Sequence, residues 1–249
     1  MTLDLPEPLG SLVALGLVLL LVLLRLDAER FGAAEYDEVR EGFIPPFRRR
    51  LAWYAIGLGI VAAILLIHPD PSGALFLQVG DRLGAIAWGF VYGALGAAQA
   101  VGFAYWRYRR VRLPTVSSYP GALLNELGTA FVDEAAFRGA LLGLLVSTGL
   151  DPRAAIAIQA IIYALATRTG APGRRRYMLV LALGVGLVGG WVTVQTGGIA
   201  AAFIGHTVTR FSVFLCTGHA GQPEARGREV EEIEKRRRPP DGWRVIGSR

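Results

Sequence analysis

Two short polar patches interrupt long apolar stretches of this 249-residue chain: Asp133, Glu134 and Arg138 in one, His206 and Arg210 in the other. Ionisable side chains in such surroundings are costly unless paired or hydrated, so each calls for a reason to be there. A carboxylate beside a histidine in a partly hydrated pocket can deprotonate water for attack on a peptide carbonyl. Glu134 and Arg138 are four residues apart, as are His206 and Arg210, so two helices each present one polar face. Their similar depth predicts that the patches meet. Two carboxylates against two guanidinium groups make a neutral cluster, and a buried ion network that fixes helix packing has the same composition without any catalysis.

Other chemistries find little footing. His206 is the only histidine inside an apolar segment, and catalytic zinc normally takes three protein ligands, so neither a metal nor a cofactor is expected. His68 falls in a loop on the opposite side, and His219 lies just past the last apolar segment. Ser117 and Ser118 have no triad partner at motif spacing and read as turn formers. The single cysteine, Cys216, lies in an apolar stretch and reads as packing.

The elements that must position these groups are apolar blocks. At 53% hydrophobic and 18% charged residues, the composition is that of a membrane protein. The blocks are Leu9 to Leu26, Leu51 to Ile67, Leu83 to Trp106, Gly121 to Leu150, Ala154 to Ala166, Tyr177 to Gln195 and Gly198 to Thr217. They are too long and too poor in alternation for barrel strands, which predicts an all-α polytopic bundle of about seven transmembrane helices over residues 1–217, followed by a basic tail over 218–249. The first block has no basic leader and no small-residue cleavage site, and reads as a permanent helix. The fifth is short, but Asp151 and Pro152 supply an N-cap and a first-turn proline. The fourth is overlong and carries Glu126 early, so its start is expected along the membrane interface.

A net charge of +6 would suggest nucleic acid in a soluble protein, but here the basic residues sit in short connections and report orientation. With seven spans, the segments 25–50, 107–120, 167–176 and 218–249 fall on one side and hold 22 of the 26 basic residues. That places the N-terminus outside and the tail in the cytosol. Twenty-five arginines against one lysine suggest a GC-rich genome and hence a prokaryotic inner membrane. Glycines four apart, at 89 and 93, 139 and 143, and 186 and 190, predict close helix approach. In the tail, Glu231, Glu232 and Glu234 pair at four-residue spacing with Lys235, Arg236 and Arg238, which predicts a short solvated helix.

The segment Asp133-Glu134-Ala135-Ala136-Phe137-Arg138-Gly139 resembles the Glu-Glu-x-x-x-Arg motif of the CAAX-protease and bacteriocin-processing (CPBP, or Abi) family of intramembrane proteases. Further on, Thr196 to His206 resembles that family's third motif with its preceding turn, and Ile161 to Thr167 sits where the family has Phe-x-x-x-His. The likeness covers about residues 115–217. It implies a water activated by a motif-one glutamate, here Glu134 with Asp133 beside it. His206 would assist, and Arg210 would lie near the oxyanion.

The chain departs from that pattern at three positions. Asp133 stands for a glutamate, Thr167 for a histidine, and Arg210 for an Asn or Asp. Asp133 is one methylene shorter, and a misplacement of about 1 Å can cost on the order of a hundredfold in rate. Thr167 can hydrogen-bond but cannot carry a proton at neutral pH. Arg210 close to either carboxylate would weaken it as a base. Two functions follow: an intramembrane endopeptidase acting on membrane-anchored or prenylated peptides, or an inactive relative that binds or chaperones membrane partners. Membrane lipids are partners in both, and nucleic acid in neither. A transporter would show repeat symmetry, and none is visible.

Overall fold

The structure, a computed structural model, describes residues 7–34, 44–108, 111–114, 120–169, 176–217 and 243–246. Its described residues form seven helical rods: α1 (Glu7–Leu26), α2 (Ile44–Ile67), α3 (Arg82–Tyr108), a composite fourth rod, α6 (Pro152–Thr169), α7 (Arg176–Thr196) and α8 (Ala200–Thr217). The fourth rod begins as α4 (Pro120–Asp133), continues as a π-helix (Glu134–Leu141) and ends in α5 (Leu142–Ser147). The all-α bundle expected from the apolar blocks is what forms. One small addition is a two-stranded antiparallel ribbon, in which β1 (Val111–Pro114) pairs with β2 (Trp243–Ile246). This ribbon sets the end of the tail on the same face as the connection from α3 to the fourth rod.

Four stretches are long and apolar enough to cross a bilayer: Leu9–Leu26, Arg48–Ile67, Arg82–Trp106 and Leu179–Thr196. They belong to α1, α2, α3 and α7, and they carry most of the exposed large hydrophobic side chains, among them Leu12, Leu58, Phe90 and Val180. The remaining three rods hold most of the buried polar residues. Every residue of the π-helix is buried, and α8 contributes none of the exposed large hydrophobics. The bundle is therefore an apolar shell around a polar centre.

Small residues set the distances between rods. Gly89 and Gly93 of α3 face Ile204 and Val208 of α8, the most extensively packed helix pair. Gly186 and Gly190 of α7 face Ala160, Ile156 and Gln159 of α6. The third glycine pair differs from expectation, because Gly139 and Gly143 admit the loop residues Ala74, Leu75 and Leu77 rather than a helix. That loop is latched to the α7–α8 turn: the Asp81 amide donates to the Thr196 carbonyl at 2.8 Å, and the Ile199 amide to the Gln78 carbonyl at 3.0 Å.

Asp151 caps α6 as its sequence predicts, its carboxylate accepting from the Arg153 and Ala154 amides at 2.9 and 3.2 Å. Cys216 packs with Ala100, Ala104 and Val213. Glu126 is fully buried in the bundle, for a reason given below. Ser117, Ser118, His219 and the charged run 228–238 lie outside the described residues.

Candidate functional site

The polar centre is built mainly from three rods. Asp133 closes α4, Glu134 and Arg138 lie in the π-helix, Tyr163 and Thr167 come from α6, and His206 and Arg210 from α8. All of these except Arg210 are buried. The π-helix admits an extra residue per turn, seen where the Leu142 amide reaches back five residues to the Phe137 carbonyl. Ala135, Ala136, Gly139 and Ala140 are small enough to let that wider turn pack fully.

Glu134 is the hub. Its Oε1 lies 2.6 Å from His206 Nδ1 and 3.1 Å from Arg138 Nη1. An ionised carboxylate only accepts, so His206 Nδ1 carries the proton, and its Nε2 is left to accept from the Tyr163 hydroxyl at 3.2 Å. The Tyr163 ring lies under the Arg138 guanidinium, 4.0 Å from its centroid, and that guanidinium donates through Nη2 to the Val185 carbonyl at 3.0 Å. Glu134, His206, Tyr163 and Arg138 thus form a closed ring of contacts. Glu134 Oε2 stands outside that ring and has no hydrogen-bond partner among the described residues.

The two patches meet as their spacing predicts, but the pairing of charges differs from the simple expectation of two against two. Arg210 is not near Asp133 or Glu134 as a partner; its Nε donates to Glu126 Oε2, and its Nη2 to the Ala34 carbonyl at 3.2 Å. Asp133 is faced instead by Arg25 of α1, Nε to Oδ1 3.0 Å, a charge contact without an aligned hydrogen bond. Three carboxylates therefore meet three arginines, one to one, and the centre is neutral with His206 uncharged.

Arg25 and Glu126 join the polar centre although their sequence positions do not point to it. Arg25 ends an apolar run and was counted with the loop charges; it is 2% exposed. Glu126 is held by Arg210 and by the Asn125 amide at 3.2 Å, with Asn125 in turn accepting from the Tyr54 hydroxyl at 2.7 Å. Tyr163 was passed over as well. The available signal was its place four residues before Thr167, where the motif has an aromatic side chain.

A cavity of ≈ 60 Å³ lies beside the ring, lined by Tyr163, Thr167, His206, Thr209, Arg210 and Glu126 among others. That is room for several waters. The Thr167 hydroxyl, at its wall, has no hydrogen-bond partner among the described residues. Among those residues no three His, Cys, Asp or Glu side chains are grouped to hold a metal ion.

A shell of apolar helices around a buried carboxylate, histidine and arginine centre defines a multi-pass membrane protein with a CAAX-protease-like core. The family model for Rce1-like proteins, type II CAAX prenyl endopeptidases, matches residues 115–212, about two fifths of the chain. Over that stretch the family resemblance drawn from the motifs holds. No curated protein and no solved structure matches the chain significantly.

Proposed function

We propose that this protein is an intramembrane endopeptidase in which Glu134 activates water. The observation that carries this reading is the asymmetry of its carboxylate: Oε1 is fixed by His206 and Arg138, while Oε2 has no partner among the described residues. One oxygen is thus positioned, and the other, buried and without a partner among those residues, would take the proton of an attacking water. Water donates a proton to Oε2 as its oxygen adds to the scissile carbonyl carbon. When the tetrahedral adduct collapses, the C–N bond breaks and the same proton passes to the leaving amine. Arg210, Thr167 and Asp133 are the remaining site residues in this proposal, with Arg210 nearest to the oxyanion role and Asp133 steadying the start of the π-helix through Arg25. Substrates would be membrane-anchored or prenylated peptides, as the name of the matched family suggests. The distribution of basic residues supports an inner-membrane orientation with the N-terminus outside and the tail in the cytosol.

A second reading has its own observation. Each buried carboxylate faces an arginine, and the position of a second histidine is held by Thr167, which is what a purely structural network would look like. That protein would bind membrane partners without cutting them. The discriminating experiment is cleavage of a panel of prenylated and membrane-anchored peptides by the purified protein in lipid, beside Glu134→Gln. Cleavage that disappears in a folded Glu134→Gln sample supports the peptidase. Intact peptides from a well-folded parent protein, with the variant only less stable, leave the structural network as the function of the cluster.

A further inference from the structure

We propose that the turn formed by residues 27–34 is a displaceable plug on the polar centre, and that a substrate peptide binds Arg210 through a main-chain carbonyl in the place now taken by the Ala34 carbonyl. The inference rests on the peptidase reading above, in which Arg210 serves the oxyanion. That guanidinium is engaged twice: its Nε donates to Glu126, and its Nη2 to the Ala34 carbonyl at 3.2 Å. It also walls the cavity beside His206, Tyr163 and Thr167. A peptide carbonyl of the chain itself therefore holds a donor at the cavity wall, and an incoming carbonyl competes for it. Glu126 keeps Nε in either case, so the arginine stays aimed when the plug leaves.

The plug is built for removal as a unit. Past α1 the chain winds back on itself: the Gly32 amide donates to the Glu29 carbonyl at 3.0 Å, and the Ala33 and Ala34 amides both reach the Ala28 carbonyl, at 2.9 and 3.3 Å. Gly32 permits this with a φ of +69°, the left-handed glycine that ends a helical turn. The amides are thus satisfied inside the turn, and its last three carbonyls face other rods. Gly32 accepts from Arg50 Nε of α2 at 2.8 Å, Ala33 from the Thr129 hydroxyl of α4 at 3.1 Å, and Ala34 from Arg210 of α8. The buried residues of the turn are alanines, Ala28, Ala33 and Ala34, with Phe31 half-buried beside them. Asp27 and Arg30 form an ion pair on its outer side, their side chains 49% and 82% exposed.

Three hydrogen bonds, three methyl groups and part of one ring hold the turn down, and each bond lost shifts the balance toward the open turn by on the order of fivefold. The donors address only main-chain carbonyls, so a peptide of any sequence can replace the plug at Arg210. Apparent affinity for such a peptide is the intrinsic affinity scaled by the open fraction, so plug opening and peptide binding must change by the same factor. Two variants open the plug by unrelated means. In Gly32→Ala the added Cβ has Arg50 Nη2 as its nearest atom at 3.8 Å, an ordinary contact, and the strain comes from the positive φ alone. Thr129→Val removes the donor to the Ala33 carbonyl and keeps the side-chain shape.

The test uses the full chain in lipid nanodiscs and two measurements: amide hydrogen exchange over residues 27–34, and fluorescence anisotropy of a dansylated tetrapeptide that begins with an S-farnesylated cysteine. Every amide after that cysteine is N-methylated, which blocks cleavage and keeps the carbonyls. Exchange and affinity should both rise about tenfold in Gly32→Ala and about fivefold in Thr129→Val. Faster exchange with no gain in affinity overturns the plug and leaves the turn as the end of α1. Unchanged exchange in both variants overturns it as well, since a turn that does not open cannot yield to a peptide. Absence of binding in all three proteins overturns the proposal in one of two ways. With the peptide panel above uncut, the peptidase reading falls too; with the panel cut, only the carbonyl anchor at Arg210 falls.

Discussion

The shell helices α1, α2, α3 and α7 and the central elements α4, the π-helix, α6 and α8 are held by different physics. The shell shows leucine, phenylalanine and tryptophan to the outside, as at Leu12, Leu95 and Trp106. Lipid tails are as apolar as those side chains, so their contacts outward contribute little to folding, and close packing through glycines does more. The centre buries Arg25, Glu126, Asp133, Glu134, Arg138 and His206. There, each group is tolerable only because another faces it. The comparison teaches that buried charge is concentrated in a few mutually dependent residues, and that the shell separates them from lipid.

The largest effect expected is from Arg138→Ala. It leaves Glu134 buried without its counter-charge and removes the cation over Tyr163, so a loss of about 3–5 kcal/mol is expected in thermal or denaturant unfolding in lipid. A loss below about 1 kcal/mol would erase the distinction between centre and shell. Next comes the Arg25 and Asp133 pair. Asp133→Leu alone strands Arg25 and should cost about 3 kcal/mol, whereas Asp133→Leu with Arg25→Met should recover most of that, because a well-packed apolar pair often matches a buried ion pair. Simple additivity of the two substitutions would mean that Arg25 reaches some other partner.

Much of this centre was legible in the sequence, and the failures have particular causes. Asp133, Glu134, Arg138 and His206 stand out because helical spacing and an apolar background leave them few alternatives. Arg25 did not, because an arginine at the end of an apolar run can turn outward to a membrane surface or inward to a carboxylate, and a linear pattern holds no information about which. Glu126 was obscured for the same reason, since its partner Arg210 lies 84 residues away. The π-helix was also invisible: Ala, Phe and Gly at these positions suit an α-helix equally well. The seven rods were legible as helices from their apolar blocks, four of them long and apolar enough to cross a bilayer. The groups they enclose depend on which faces turn inward.

A smaller effect sharpens the picture inside the ring. Tyr163→Phe keeps the aromatic ring under Arg138 but removes the hydroxyl that donates to His206 Nε2, and the expected loss is about 1 kcal/mol of stability. If the protein cleaves peptides, the variant should also change kcat more than KM, because it loosens the histidine that orients Glu134. An equal change in both would place Tyr163 at the substrate and not behind His206.

The smallest effect belongs to the shell. Leu95 is 62% exposed on α3, facing away from Gly93 and Gly96, which pack against α8. In a soluble protein an exposed leucine would have water as its alternative, and in the bilayer its alternative is more hydrocarbon, so Leu95→Ala gains and loses little in either state. A change within about 0.5 kcal/mol is expected when the variant unfolds in lipid. Gly93→Leu, on the opposite side of the same helix, should by contrast disrupt packing against Val208, because a side chain there meets the β-branched carbon directly. If Leu95→Ala proved as damaging as Gly93→Leu, the exposed face of α3 would have to be a protein contact, and the division into a lipid-facing shell and a self-contained centre would fail at that helix.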